Sequence, residues 1–128
     1  MSYELTALAC AVALTIVQLF VAIVGALGQK GLPWAAGNRD GAVEFEGWGG
    51  RAVRAHRNML ENLPLFAAAV LIAHVAGREN AMTHLGAQLF IWGRLAYAVI
   101  YVAGVPWLRT AAFAVGLSGI GLVLAQLF

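Results

Sequence analysis

The sequence predicts an all-α integral membrane protein, a four-helix bundle, and three observations carry that prediction. Hydrophobic residues make up 62% of the 128-residue chain and charged residues only 11%, against about 45–50% and about 25% in a soluble globular domain. The apolar residues gather into four segments, about 5–27, 51–76, 84–105 and 109–128, each long enough for a helix to cross a hydrocarbon core roughly 30 Å thick. Strand alternation is absent, and only helices or closed barrels satisfy their backbone hydrogen bonds inside a bilayer. The chain 1–128 therefore reads as a single transmembrane domain, its longest polar stretch being 28–50.

The first segment, Leu5–Leu27, carries no charge, and Glu4 rather than Lys or Arg precedes it. A signal peptide has a basic start and an apolar core of about 7–15 residues, so this longer stretch is predicted to be a retained spanning helix. Cys10 is the only cysteine. An intrachain disulfide is thereby excluded, and a thiol in an apolar run reads as a packed, inert one. Gly28, Gly31, Pro33, Gly37, Asn38, Asp40, Gly41, Gly47, Gly49 and Gly50 make 28–50 a loop. The second segment follows, then a short connection, Gly77–Thr83, with Arg78 and Glu79. The third segment ends at a tight turn around Pro106, with Trp107 as an interfacial aromatic, and the fourth completes the bundle.

Basic residues near helix ends set orientation. Lys30, Arg39, Arg51 and Arg109 collect on one side and Arg78 alone on the other. The first and third loops are thus predicted to be cytoplasmic, with both termini on the opposite side. Ala69, Ala73 and Gly77, and Ala112, Gly116, Gly119 and Gly121, are candidate packing faces, because small side chains let membrane helices approach closely. Gly93 has the same reading. A net charge of +2 gives no nucleic-acid footprint. His74 and His84 lack the company and spacing of metal ligands, so no metal site is predicted. His56 and Trp92 read as packing or lipid-facing residues.

The polar residues inside the second segment are the unusual feature. Charges at membrane depth cost about 2.5–3.5 kcal/mol each on insertion scales, so they are rare and usually functional. At 100° per residue, Arg51, Arg54, Arg57, Asn58 and Glu61 fall within about 120° of one helix face, Glu61 roughly 15 Å deeper than Arg51. On the third segment Arg94, Tyr97 and Tyr101 share a face at spacings of three and four. Arg94 lies at a depth similar to Glu61, which predicts a Glu61–Arg94 ion pair. Arg109, followed by Thr110, stands at the start of the fourth helix. The helix dipole does not favour a cation there, which points to an anionic partner.

Seven of the eight basic residues are arginine, whose planar fork suits carboxylates. A site with several guanidiniums, one carboxylate, one amide and two phenols suits a ligand with more than one carboxylate and an ammonium. Glutathione fits, and a nearby cation would lower the pKa of its thiol, whose thiolate is the nucleophile. A purely structural ion network would need fewer arginines, since cations exceed carboxylates in the stripe.

The block Arg51-Ala52-Val53-Arg54-Ala55-His56-Arg57-Asn58-Met59-Leu60-Glu61-Asn62-Leu63-Pro64-Leu65-Phe66 resembles the second-helix signature of the MAPEG family, membrane-associated proteins in eicosanoid and glutathione metabolism. Gly93-Arg94 with Tyr97 and Tyr101, and then Arg109-Thr110, are similar to its later pattern, and the resemblance spans essentially the whole chain. It implies a homotrimer with glutathione, as co-substrate, bound between subunits near the cytoplasmic face. Arg54, Arg57, Asn58 and Glu61 would contact the tripeptide, with Tyr97 and Tyr101, and Arg109 would stabilise the thiolate beside the Thr110 hydroxyl. Two positions depart from the family pattern: Gln29 and Lys30 stand where an arginine often ends the first helix, and Gly50 where an acid often precedes the motif, Glu46 being the nearest.

The expected function is that of a glutathione-dependent transferase or peroxidase, with a lipophilic second substrate arriving from the bilayer. The alternative is a non-catalytic membrane protein binding glutathione, a lipid or a protein partner in the same pocket. A small multidrug exporter is disfavoured, because a cationic pocket repels cationic drugs.

Overall fold

A computed structural model of the chain describes residues 1–39 and 44–128; Asp40 and Gly41 of the predicted loop lie outside the described residues. The fold is all-helical, with no strand among the described residues. Four long helices, α1 (Tyr3–Lys30), α3 (Gly47–Val75), α4 (Ala81–Ala103) and α5 (Pro106–Ala125), are each long and apolar enough to cross a membrane. A short helix, α2 (Leu32–Ala36), lies within the stretch that the sequence reads as loop.

The helix ends follow local chemistry. The Ser2 side chain caps α1 by accepting from the Leu5 amide. Asn80 and Thr83 close a reciprocal capping box at α4, which ends at Gly104 in the left-handed region, φ 86°. Pro106, predicted as the turn itself, is instead the first residue of α5, where a missing amide hydrogen and a fixed φ are favourable. The connection between α4 and α5 therefore shrinks to Gly104 and Val105.

The bundle is built from two tight pairs, α1 against α3 and α4 against α5, with α3 and α4 also in contact. Glycines set the spacing of both pairs. A Cβ on Gly25 would lie 2.7 Å from the Gly49 Cα, so α1 and α3 touch backbone to backbone. That contact explains the glycine at 49, which the sequence reads as loop and which lies with Gly50 inside α3. In the other pair a Cβ on Gly93 would meet the Gly116 nitrogen at 2.8 Å, and one on Gly119 would run into the Gly86 carbonyl. Ala69, Ala73, Ala112, Gly116 and Gly119 are buried as packing faces. Gly77 falls outside α3 with φ 67°, and Gly121 is exposed with nothing near it.

The main core lies between these pairs, where the Phe66 and Phe90 rings stack with centroids 3.9 Å apart. A smaller cluster of Ala55, Tyr97 and Ala112 sits closer to the arginines. Most large apolar side chains on the outer surface, among them Phe20, Leu65 and Trp92, are exposed, as expected of faces solvated by lipid.

At the end opposite the arginines, polar groups join the helices. The buried Thr83 hydroxyl lies 2.6 Å from the Glu4 carboxylate and 2.8 Å from the Asn80 amide, from which it accepts. Ser2 donates to Glu79 at 2.5 Å, and the same carboxyl meets His74 at 2.9 Å. The Ser2 hydroxyl, and then His74, hold the Glu79 carboxyl below its ordinary range. Thr83→Val, which keeps shape but strands the Glu4 carboxylate, should cost about 1–3 kcal/mol, read as a lower melting temperature in detergent; unchanged melting would remove this contact from the account of stability.

Candidate functional site

The arginine stripe of α3 does not stay together; Arg54 stands where it divides between two clefts. The first, of about 160 Å³, is lined by Arg51 and Arg54 of α3, Tyr101 and Gly104 at the end of α4, and Pro106 and Arg109 at the start of α5. The two-residue connection is what brings Arg109 here: placed in the first turn of α5, its guanidinium sits 4.7 Å from the Tyr101 ring centre. Arg54 donates from Nε to the Tyr101 hydroxyl at 3.2 Å. Arg51 donates from Nε to the Val102 carbonyl at 2.9 Å, which fixes the end of α4 against α3. The Arg54 and Arg109 guanidiniums thus flank the Tyr101 ring and Arg51 lines the same cleft, with no carboxylate among the lining residues.

The second cleft, of about 380 Å³, opens on the other side of Arg54. It is lined by Glu44 and Phe45 from the segment before α3 and by Gly50, Val53, Arg54 and Arg57. Phe45 lies so close to Gly50 that any Cβ there would collide with its carbonyl. This segment is held by Gln29, whose amide makes a reciprocal pair with the backbone of Glu46: Nε2 donates to the carbonyl at 2.6 Å, and Oε1 accepts from the amide at 2.8 Å. Gln29 is thereby committed to the chain's own backbone, and Lys30 is exposed.

Below the first cleft, Arg94 is 2% exposed, and its guanidinium lies 4.2 Å from the Tyr97 ring centre. Nε and both Nη atoms are buried without a hydrogen-bond partner. Tyr97 and Tyr101 meet edge to face at 5.4 Å, linking this buried level to the cleft. The predicted Glu61–Arg94 pair is not made: Glu61 is exposed, and the one ion pair among the described residues is His74–Glu79. Periodicity put the two residues on helices that pack together, α3 and α4, but no ion pair forms between them.

The remaining predicted residues lie apart from the first cleft. Arg57 belongs to the second. Asn58 accepts from Asn62 Nδ2 at its own carbonyl and at Oδ1, 2.8 and 3.3 Å away. Thr110 is exposed and donates back to the Pro106 carbonyl at 3.2 Å. Sequence reasoning did not single out Glu44, Phe45, Gly104 or Pro106 as lining residues; Gly104 and Pro106, flanking a two-residue break between apolar segments, were the available signal. Among the described residues no three His, Cys, Asp or Glu side chains gather in a way that would hold a metal ion.

The family model described as the MAPEG family matches residues 5–128, nearly the whole chain and every side chain of both clefts. No curated protein and no solved structure matches it.

Proposed function

The chain belongs to the MAPEG family, and from that premise we propose that it is a glutathione-dependent transferase or peroxidase embedded in the membrane. One observation carries this reading: Arg51, Arg54 and Arg109 line one cleft together with Tyr101, and no carboxylate lines it. Like charges brought together need a compensating anion, and a tripeptide with two carboxylates and an ionisable thiol supplies it. Arg109 is the residue assigned to the thiolate. Arg54, Arg57, Asn58, Glu61, Arg94, Tyr97, Tyr101 and Thr110 are assigned to holding the peptide.

In a transfer reaction the thiolate sulfur would bond to an electrophilic carbon while the leaving group departs with its electron pair. With a hydroperoxide, sulfur would bond to the terminal oxygen as the O–O bond breaks, and the released alkoxide would take up a proton. Either way, the cation acts by being in place before charge develops. The second substrate would be lipophilic and enter from the bilayer.

A homotrimer with the arginine end cytoplasmic completes the proposal. Its support is Glu61, exposed on the single chain although roughly 15 Å deeper than Arg51. An ionised carboxylate at that depth faces protein or a water-filled cavity, not lipid. Arg94 is a second ionisable group at membrane depth, and its three nitrogens find no acceptor within the chain. A second reading, a member that binds without catalysis, is favoured by Gln29, because the family's usual arginine at that point is replaced by an amide tied to Glu46.

Glutathione titration of the purified protein, following thermal stability and ultraviolet thiolate absorbance together, tests both. Saturable stabilisation with new thiolate signal is expected. Stabilisation without thiolate would favour the non-catalytic reading, and no response from an intact oligomer would refute the glutathione-dependent reading and leave only a lipid or protein partner for the other. Arg94→Met separates ligand binding from structure. Replacing an unpaired buried charge with an apolar side chain is neutral or stabilising, so melting without ligand should not fall, while glutathione should bind about tenfold more weakly. Loss of stability without loss of affinity would make Arg94 structural.

A further inference from the structure

An apolar groove runs between α1 and α4 and shares no lining residue with the arginine cleft. Its larger section, of about 470 Å³, is lined by Leu14, Val17 and Val21 of α1, Ala55 of α3, and Leu95 and Val99 of α4. A second section, of about 310 Å³, shares Leu14 and Leu95 and continues past Cys10 and Trp92 to Tyr3. From Thr6 to Val21, both lining residues, α1 rises roughly 22 Å, more than the roughly 15 Å of one leaflet's hydrocarbon. Val17, Val21, Leu95 and Val99 are exposed at its edges, so the groove opens sideways to lipid.

One polar side chain interrupts the wall of the larger section. Gln18, near the middle of α1, lines the larger section and is 8% exposed, and its Oε1 is buried with no hydrogen-bond partner. In hydrocarbon an unmet acceptor has no water to turn to. An ordinary acyl chain brings no donor to this depth, so an unmodified lipid tail would leave the amide as it is.

We propose that this groove binds a single long hydrocarbon chain carrying one hydroxyl nearer one end than the other, the hydroxyl donating to Gln18 Oε1. Gln18 lies roughly 18 Å from Thr6 and roughly 4.5 Å from Val21, so the longer part of the chain runs toward Tyr3, and the amide selects the position of the hydroxyl. The site does not rest on glutathione chemistry, because the arginine cleft is lined by other residues.

Ricinoleate and oleate, the same chain with and without such a hydroxyl, test it by equilibrium binding to the purified protein under native mass spectrometry. Ricinoleate is expected to bind about fivefold more tightly, the share of one net hydrogen bond. Gln18→Leu should erase that preference while keeping oleate affinity. Val99→Trp, which fills the groove from an exposed edge, should weaken both. Equal binding by the wild-type protein, a preference that survives Gln18→Leu, or no saturable binding of either acid would overturn the proposal. Glutathione stabilisation, measured in the same variants, should be unchanged by Gln18→Leu, so a failure of the glutathione reading would show separately.

Discussion

Arg109→Ala should lower turnover about a hundredfold, the typical effect of removing one group that stabilises developing negative charge, while the glutathione dissociation constant rises less than about threefold. The asymmetry follows from the position of the side chain. Arg109 sits over the face of Tyr101 in the first turn of α5, and Arg51 and Arg54 approach the same cleft from α3. Two cations therefore remain to hold carboxylates when Arg109 is lost, whereas the proposed stabilisation of the thiolate depends on Arg109 alone. Arg109→Lys should fall between, since it keeps the charge but not the planar fork. Steady-state kinetics and a binding titration on the same preparations give both numbers. Equal losses in turnover and affinity would reduce Arg109 to one more binding residue.

Gly119→Ala should be among the most damaging of the conservative substitutions, costing about 3 kcal/mol. A single methyl there meets the Gly86 carbonyl and comes within 2.7 Å of the Phe90 amide nitrogen. Neither is the end of a flexible side chain, so α4 and α5 have to separate along the face where Gly93 and Gly116 also touch. Gly121→Ala, two residues on and with open space around it, is the control and should leave melting unchanged. Chemical denaturation of the two variants in the same detergent measures the difference. Comparable stability for both would show that the pair is not held at backbone contact.

The spans were legible because hydrophobicity over twenty residues is a strong signal in a chain with so few charges. Their ends were less so. Pro106 is as compatible with a turn as with the first position of a helix, and Gly49 looks like loop until α1 is seen to demand a small residue opposite Gly25. The site was legible in part. Spacing brought Tyr101 to one face of α4, and the short connection brought Arg109 beside it. Spacing gives a face but not the contacts that the face makes, and for that reason a Glu61–Arg94 pair is expected from the sequence where the chain makes none. The contact between Glu4 and Thr83 joins residues 79 positions apart, and no local pattern announces a partner at that separation.

The amide pair between Gln29 and Glu46 has a consequence for how this chain can change. It pins the start of α3 to the end of α1 from either side of the intervening stretch, so the register of Arg51 and Arg54 is set upstream and downstream of it rather than through it. Doubling the length of a flexible connection costs only about 0.6 kcal/mol in closure entropy. Between Gln29 and the cleft-lining Glu44 and Phe45 the chain is therefore free to vary in length and composition, taking on new interactions at the membrane surface, while the arginines keep their places.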